Sequence, residues 1–142
     1  MNRVLRILLA EDNPGDVYLV QEALHRNGVS HELTLAKDGT SAWNLIDACE
    51  ASPELSFDII LLDLNLPVRC GLEVLERIRR CRGPLARALV VVVTSSDSPR
   101  DRAAANRGKA DYYFRKPSDL EQFLELGSIV QELWARRTRG NQ

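Results

Sequence analysis

The sequence predicts a single α/β domain built on a five-stranded parallel sheet with helices on both faces. Short apolar segments alternate with longer amphipathic segments along the 142 residues, as they do in doubly wound proteins. Two apolar segments, residues 59–62 and 89–93, are almost continuously hydrophobic. Such segments are typical of central strands that are buried on both faces.

Five strands and five helices are expected in alternation. The strands are predicted at residues 6–10, 32–36, 58–62, 89–94 and 111–114. The helices are predicted at residues 14–26, 40–50, 71–80, 98–107 and 118–134. Asn13 and Pro14 are suited to open the first helix, and Gly28 is suited to close it. Ser118 and Glu121 have the spacing of a capping box at the start of the last helix.

The end of the chain is expected to divide into a packed helix and a loose tail. The domain core is predicted to run from about residue 5 to residue 134. Phe123 and Trp134 belong to an imperfect apolar stripe in the last helix, which Gly127 weakens. The arginine-rich residues 135–142 are expected to form a frayed, solvated end.

Charge and cysteine content exclude several classes of protein. The 19 basic and 20 acidic residues give a formal net charge of -1, so nothing in the charge balance favours binding to nucleic acid or to an anionic membrane. The first apolar stretch is interrupted by Glu11 and Asp12 and is too short for a signal peptide or a membrane span, so a cytoplasmic location is expected. Cys49, Cys70 and Cys81 are odd in number and lack C-x-x-C spacing, which favours reduced thiols.

Acidic residues follow two of the apolar strands. Glu11 and Asp12 come after the first strand, and Asp63 comes after the third. Because the ligand crevice of a doubly wound sheet lies beyond the carboxyl ends of its strands, these side chains are candidates for one site. Gathered carboxylates repel one another unless a cation is bound, and Mg²⁺ suits an open set of oxygen ligands. Taken alone, a single carboxylate such as Asp12 is more often an exposed loop residue or a helix cap than part of a site.

Two further strand ends supply complementary chemistry. Thr94 offers a hydroxyl group, and Lys116 offers an ammonium group that can bind a phosphoryl oxygen or pair with Asp63. A carboxylate such as Asp63, held beside a metal ion, can attack phosphorus and form an aspartyl phosphate. The constellation therefore indicates a phosphoryl-accepting site.

In combination and in order, these motifs closely resemble the receiver domain of response regulators. The matching segments are Glu11-Asp12, Asp63-x-Asn65-x-Pro67 followed by Gly71, Thr94-Ser95, and Lys116-Pro117. The resemblance implies the flavodoxin-like receiver fold, with five helices around a sheet of strand order 2-1-3-4-5. It also implies a magnesium-dependent phosphorylation switch rather than an enzyme.

The resemblance assigns a role to each residue of the constellation. Asp63 is expected to be the phosphoacceptor, Asp12 a direct ligand of Mg²⁺, and Glu11 a ligand acting mainly through a metal-bound water. The backbone carbonyl of Asn65 is expected to complete the protein ligands. Lys116 is expected to contact the phosphoryl group.

Three further expectations follow from the same resemblance. The peptide bond between Lys116 and Pro117 is expected to be cis, and Thr94 is expected to move toward the phosphate. Tyr113, three residues before Lys116, falls at the position of the family's switch aromatic. The alternative for Tyr113 is an ordinary strand residue that is partly exposed at the domain edge.

A narrower resemblance is to the single-domain regulators that are paired with bacterial and cyanobacterial phytochromes. It rests on Glu11-Asp12-Asn13 with Asp16, on Asp63-Leu64-Asn65-Leu66-Pro67, on Thr94-Ser95-Ser96, and on Lys116-Pro117-Ser118. It implies a histidine kinase partner of the bacteriophytochrome type. No output domain is expected, so the signal would pass through contacts with a phosphotransfer or effector protein. Self-association into a homodimer is expected through the fourth helix, last strand and last helix, where Phe123 and Trp134 would leave an outer apolar patch.

Three alternatives are weaker. Phosphohydrolases of the haloacid-dehalogenase type also form an aspartyl phosphate at a strand end, but their nucleophile belongs to a D-x-D motif. In this chain the second aspartate of that motif is replaced by Asn65. A receiver-shaped module that no longer takes phosphate has no support, since every expected functional residue type is present. A nucleotide-binding enzyme is disfavoured because neither G-x-x-x-x-G-K-[ST] nor G-x-G-x-x-G occurs.

Overall fold

A computed structural model describes residues 3–140 of the chain. Its five parallel strands are β1 Leu5–Ala10, β2 His31–Ala36, β3 Ile59–Leu62, β4 Leu89–Thr94 and β5 Tyr112–Arg115. They lie side by side in the order β2-β1-β3-β4-β5. The predicted doubly wound α/β fold and its strand order are confirmed.

Six α-helices accompany these strands within the described residues. They are α1 Pro14–Arg26, α2 Gly39–Ala51, α3 Gly71–Arg80, α4 Pro99–Arg107, α5 Leu120–Leu124 and α6 Leu126–Gly140. The bounds of the strands and of the first four helices differ from the predicted ones by at most one residue at each end.

The side chains of the central strands alternate between two apolar layers. Ile59 and Leu61 pack with α1, α5 and α6 on one face of the sheet. Ile60 and Leu62 pack with α2 and α3 on the other face. All four side chains are fully buried, and each burial of this kind contributes about 1.5–3 kcal/mol. These layers fix the carboxyl ends of the strands in place.

Helix α1 begins only three residues after β1 and has the predicted caps. The side chain of Asn13 accepts a hydrogen bond from the backbone N–H of Asp16 at 3.1 Å, and Pro14 takes a first-turn position in which its missing N–H costs nothing. Gly28 follows the helix with a φ of 66°, a left-handed conformation that favours glycine. The first turn of α1 therefore lies at the carboxyl edge of the sheet.

The prediction of one helix over residues 118–134 is wrong. Helices α5 and α6 are separate, with Glu125 between them. Beyond the break, Gly127 packs so closely on α1 that a β-carbon would lie 2.1 Å from the carbonyl oxygen of Ala23. Glycine has low helix propensity and no side chain, so an interruption here costs little and allows this close approach.

The predicted capping box at Ser118 is also wrong. Helix α5 is capped by Asp119, whose side chain accepts a hydrogen bond from the backbone N–H of Gln122 at 3.1 Å. Aspartate is as good an N-cap as serine, and here it is the residue directly before the helix.

The basic end of the chain is helical, contrary to the prediction of a frayed tail from residue 135. Helix α6 continues to Gly140, and residues 141 and 142 lie outside the described part. Arg137 donates a hydrogen bond to the carbonyl of Arg87 at 2.6 Å and another to Asp111 at 3.2 Å. These contacts anchor the last turns of α6 to the amino end of the sheet.

The expected outer patch of Phe123 and Trp134 does not form as predicted. Phe123 is buried in the core and makes an edge-on contact with Phe114, with ring centroids 5.9 Å apart. Trp134 is half-buried and packs against the same core layer. The stripe of the last helices is used for the core because α5 and α6, together with α1, cover one face of the sheet.

The remaining composition-based expectations concern cysteines and membranes. Cys49, Cys70 and Cys81 are free thiols, as predicted. Within residues 3–140, no helix has both the length and the apolar character that crossing a bilayer requires.

Candidate functional site

The carboxyl ends of β1 and β3 bring acidic residues together. Ala10 and Leu62, the last residues of these strands, are paired in register, so the following residues Glu11 and Asp63 are neighbours. The backbone N–H of Asp63 donates to the carbonyl of Ala10 at 3.0 Å. Glu11 and Asp63 are buried, whereas Asp12 is exposed. The cluster thus has a buried floor and a solvent-facing rim.

Lys116 follows β5 and reaches into this cluster. Its ammonium nitrogen lies 2.6 Å from a carboxylate oxygen of Glu11, 2.7 Å from one of Asp16 and 3.0 Å from one of Asp63. The backbone N–H of Lys116 donates to the carbonyl of Thr94 at 2.7 Å, which continues the pairing of β4 and β5. One ammonium group therefore neutralises part of the charge of three carboxylates.

Burial and pairing change the acidity of this cluster. Burial raises the pKa of Glu11 to about 7, even though its hydrogen bonds from Lys116 and from the backbone of Asn13 act to lower it. Burial alone would lower the pKa of Lys116, but its hydrogen bonds to Asp16, Glu11 and Asp63 outweigh burial and raise that pKa. Lys116 therefore remains a cation at neutral pH.

The carboxylate of Asp63 is held through both of its oxygens. Oδ2 accepts the hydrogen bond from Lys116, and Oδ1 accepts one from the backbone N–H of Asn65 at 3.0 Å. Gly71, at the start of α3, packs so closely on this segment that a β-carbon would lie 2.2 Å from the carbonyl oxygen of Asp63. A rigid, oriented carboxylate of this kind is suited to act as a nucleophile.

The donor set fits a hard divalent cation. One ligand oxygen each from Glu11, Asp12 and Asp63 lies within 4.8 Å of the others. Carboxylate oxygens are the ligands that Mg²⁺ prefers, and an open site leaves room for water and a phosphoryl oxygen. Bound there, a divalent ion would neutralise charge on a transferring phosphoryl group.

Thr94 lies at the same edge of the sheet. It is the last residue of β4 and is fully buried. Its hydroxyl accepts a long hydrogen bond, 3.4 Å, from the backbone N–H of Ser96. The hydroxyl is therefore connected to the loop between β4 and α4.

Tyr113 lies outside the carboxylate cluster and contacts that loop. Its hydroxyl donates to the backbone carbonyl of Ser96 at 2.9 Å. The guanidinium group of Arg102 lies over the ring, 4.5 Å from its centroid. The neighbours Tyr112 and Phe114 are exposed and buried, respectively.

The expected cis peptide bond before Pro117 is not present. The bond between Lys116 and Pro117 is trans, as are all other peptide bonds of the described residues. The trans isomer of a bond before proline is intrinsically favoured by about 0.5–1 kcal/mol, and the Lys116 contacts above are made with this isomer.

Asp16 is a site residue that sequence reasoning did not assign. The contact with Lys116 arises because only three residues separate α1 from β1, so the first turn of the helix lies at the carboxyl edge of the sheet. Arg102 was missed as well, since a basic residue in a polar helix gives no signal of what it will contact. For Asp16 a sequence signal did exist: it is an acidic residue in the first turn of the helix that follows a strand with site residues at its end.

The loop between β3 and α3 forms the rim beside Asp63. Val68 in this loop has a φ of 72° and is 80% exposed. Left-handed backbone is a rare conformation for a β-branched residue. The guanidinium carbon of the next residue, Arg69, lies 4.0 Å from the ring centroid of Trp43 on α2.

Comparison with known proteins agrees with this arrangement. Residues 7–126 match the family model of the response regulator receiver domain. The chain belongs to this family. Receiver domains are the phosphoacceptor parts of two-component systems rather than conventional enzymes, so the phosphohydrolase alternative is excluded as the family of this chain.

Three relatives illustrate the similarity of this receiver. Response regulator Rcp1 of Synechocystis sp. (strain PCC 6803) is 35% identical over 131 residues, which cover 90% of this chain and 87% of Rcp1. The Mn²⁺-bound structure of Rcp1 has a TM-score of 0.78, with 92% of this chain and 94% of that chain covered.

The other two are described as response regulators of the phytochrome and bacteriophytochrome type. The phosphorylated cyanobacterial phytochrome response regulator RcpA is 34% identical and has a TM-score of 0.82. The similarity covers 94% of this chain and 95% of the RcpA chain. The bacteriophytochrome response regulator RtBRR is also 34% identical, with a TM-score of 0.71 and coverage of 86% of this chain and 75% of that chain.

Proposed function

We propose that Asp63 accepts a phosphoryl group from the phosphohistidine of a kinase and that this modification is the signal the receiver carries. The observation that carries the proposal is the position of Asp63: its carboxylate is oriented by Lys116 and by the backbone of Asn65, next to two other carboxylates. Glu11 is also buried and held through both oxygens, by Lys116 and the backbone N–H of Asn13, so the choice of Asp63 also rests on its place in the receiver motif Asp63-x-Asn65-x-Pro67.

The transfer balances in atoms and electrons. A carboxylate oxygen of Asp63 attacks phosphorus, a P–O bond forms, and the P–N bond to the donor imidazole breaks. The electron pair of that bond returns to the imidazole nitrogen, which takes up a proton. Attack of water on the aspartyl phosphate later breaks the P–O bond to Asp63 and releases inorganic phosphate, so the protein resets itself slowly.

The other residues of the site have supporting roles in this proposal. Asp12 and Asp63 would hold Mg²⁺ directly, the backbone carbonyl of Asn65 would add a ligand, and Glu11 would act through water. When bound, the ion supplies positive charge that lowers the barrier to phosphoryl transfer. Lys116, already at hydrogen-bond distance from Asp63, would bind a phosphoryl oxygen.

Two residues would convey the modification to the surface. Thr94 would turn its hydroxyl toward the phosphoryl group, and Tyr113 would respond because both residues contact Ser96. In this proposal the loop between β4 and α4 has two conformations, and phosphorylation shifts the population between them.

Acid-labile labelling tests the phosphoacceptor. The chain, with Mg²⁺, is incubated with a radiolabelled phosphorylated kinase or with acetyl phosphate. Asp63→Asn keeps the shape of the side chain but removes the nucleophilic charge, and its labelling is expected to fall to background. The matched control is Asp58→Asn, just before the start of the same strand, which is expected to retain labelling. Undiminished labelling of Asp63→Asn would refute the assignment.

A histidine kinase of the phytochrome type is the proposed donor. Support comes from the similarity over most of the chain to RcpA, described as a cyanobacterial phytochrome response regulator, and to RtBRR, described as a bacteriophytochrome response regulator. The rate of phosphotransfer from a phytochrome kinase is compared with the rate from an unrelated histidine kinase. Equal rates would argue against this partner. The cytoplasmic location and the downstream phosphotransfer or effector protein stay predictions.

Self-association through α4, β5 and the last helices is also proposed. Tyr112 on β5 and Leu120 on α5 are large apolar side chains that are 40% and 52% exposed, so this side presents apolar surface although Phe123 is buried. A two-fold dimer would bring the same patches together. Coupling to phosphorylation requires that the phosphorylated state favour the paired surface.

A further inference from the structure

The loop that follows β4 is fastened by an arginine as well as by Tyr113. The hydroxyl of Tyr113 holds the carbonyl of Ser96 at 2.9 Å, and Ser96 lies two residues after Thr94. Arg102 projects from α4 over the ring of Tyr113, with its guanidinium carbon 4.5 Å from the ring centroid. This distance is within the range of a cation–π contact.

Arg102 is in turn fixed to the loop itself. Its Nε and one terminal nitrogen each lie 3.2 Å from Oδ1 of Asp97. Ser96 donates a hydrogen bond to Asp101 at 2.5 Å, and Ser98 caps the first turn of α4. The loop, the start of α4 and the Tyr113 ring therefore form one connected unit.

The geometry points to Arg102 as a positioning residue of the phosphorylation switch. It keeps the Tyr113 ring in the orientation that bonds Ser96, and so keeps the loop that follows Thr94 in the conformation that accepts a phosphoryl group. This inference rests on the proposed function of Asp63 and Thr94. Arg102 itself makes no contact with the carboxylate cluster.

Loss of Arg102 is expected to weaken phosphoryl binding, because it lowers the fraction of molecules in which the loop is ordered. If only a fraction of molecules has the loop ordered, the apparent affinity for a phosphoryl group falls by that fraction. An aromatic ring at a domain edge has solvent-facing orientations available, and a guanidinium group stacked on the ring in its present orientation disfavours them. The planar fork of arginine orients this cover through Asp97, which a lysine ammonium cannot do.

The contacts of Arg102 are partly exposed, so its influence is modest. The side chain is 46% exposed and that of Asp97 is 55% exposed. Exposed ion pairs contribute little by themselves. We expect Arg102→Ala to weaken the affinity for a phosphoryl mimic about fivefold, which corresponds to about 1 kcal/mol.

The test uses beryllofluoride with Mg²⁺ as the phosphoryl mimic on the full chain. Its dissociation constant is measured for the wild type, Arg102→Ala, Arg102→Lys and the control Arg100→Ala, which removes an exposed arginine from the same helix. Fluorine NMR of fluorotyrosine-labelled protein reports the ring, and the Tyr113 resonance is identified by its loss in Tyr113→Phe. Urea unfolding of each variant shows whether the fold is intact.

The expected pattern separates positioning from a general structural role. Arg102→Ala is expected to bind the mimic about fivefold more weakly and to shift the Tyr113 resonance before the mimic is added. Arg102→Lys is expected to bind the mimic more tightly than Arg102→Ala but more weakly than the wild type. Arg100→Ala is expected to bind it as tightly as the wild type. Unchanged affinity in Arg102→Ala, tighter binding, or loss of stability alone would overturn the inference. A wild type that does not respond to the mimic would overturn the proposed function first, and the inference with it.

Discussion

The ammonium group of Lys116 lies 2.7 Å from a carboxylate oxygen of Asp16, and this contact joins the first turn of α1 to the segment after β5. It places a fourth carboxylate beside the group formed by Glu11, Asp12 and Asp63. Asp16 is only partly buried, with 25% of its side chain exposed. Its charge can therefore act on a cation at the site and also restrain the lysine.

Replacing Asp16 with asparagine is expected to weaken Mg²⁺ binding about twofold to fivefold. The physical reason is the loss of one nearby negative charge, which contributes on the order of 1 kcal/mol when water screens it, as it does a partly exposed side chain. Calorimetric titration with Mg²⁺ at constant ionic strength measures the effect. Glu22→Gln, farther along α1, serves as the control. Equal affinities for wild type and Asp16→Asn would contradict the expectation.

Removing the charge of Lys116 is expected to destabilise the metal-free protein. Lys116→Met leaves the buried carboxylates of Glu11 and Asp63 without their cation, and breaking a buried ion pair in this way costs about 3–5 kcal/mol. Urea unfolding in EDTA gives the free energy of unfolding. Mg²⁺ is expected to restore more stability to Lys116→Met than it adds to the wild type, because it supplies the missing positive charge. The exposed Lys37→Met is the control, and a Lys116 variant as stable as this control would refute the argument.

The direct metal ligand is tested by thermal unfolding. A ligand that binds only the native state raises the melting temperature, so millimolar Mg²⁺ is expected to raise that of the wild type. Asp12→Ala is expected to lose most of this shift because it removes an exposed ligand without leaving an unpaired buried charge. Asp47→Ala removes an exposed aspartate elsewhere and is expected to keep the shift. A full shift in Asp12→Ala would show that the metal binds elsewhere.

The fold and much of the site could be predicted because they depend on local patterns. The apolar segments that became β3 and β4 are too continuous for surface strands, and a parallel sheet places the residues after its strands at one edge. The positions of Asp63 and Lys116 follow from this rule alone. No long-range information was needed for them.

Other features depend on contacts between distant segments, which a pattern does not encode. The break before α6 reflects the packing of Gly127 against Ala23 of α1. The helical end of the chain depends on Arg137 reaching Asp111. The pairing of Asp16 with Lys116 spans 100 residues, and Asp16 alone has the pattern of an ordinary first-turn acidic residue of a helix.

Val68 is expected to store strain that a substitution can release. Its φ of 72° is left-handed, and this conformation costs an ordinary residue roughly 1–2 kcal/mol. Since the side chain is 80% exposed, little burial is lost on replacement. Val68→Asn is expected to raise the free energy of unfolding by about 1 kcal/mol, because asparagine tolerates this conformation.

A matched comparison for Val68 is available within the chain. Lys109 has a φ of 65° but is not β-branched, so Lys109→Asn is expected to stabilise less than Val68→Asn. Urea unfolding of both variants measures the difference. A loss of stability in Val68→Asn would mean that the valine side chain makes a stabilising contact that outweighs its strain.

Self-association is expected to depend on Tyr112 and Leu120 and to respond to phosphorylation. Sedimentation at several micromolar concentrations, with and without beryllofluoride and Mg²⁺, gives the dimerisation constant in each state. Leu120→Gln removes an exposed apolar side chain of α5 and is expected to weaken the dimer, because apolar area covered on pairing is its main source of affinity.

Leu55→Gln is the control, since Leu55 is 44% exposed but lies on the 3-10 turn before β3. An equal effect of both substitutions would move the interface away from α5, and a monomer in both states throughout this range would reject the dimer. A dimer whose constant is unchanged by the mimic would leave pairing intact but remove its coupling to the switch, since a ligand shifts an equilibrium only by its different affinity for the two states.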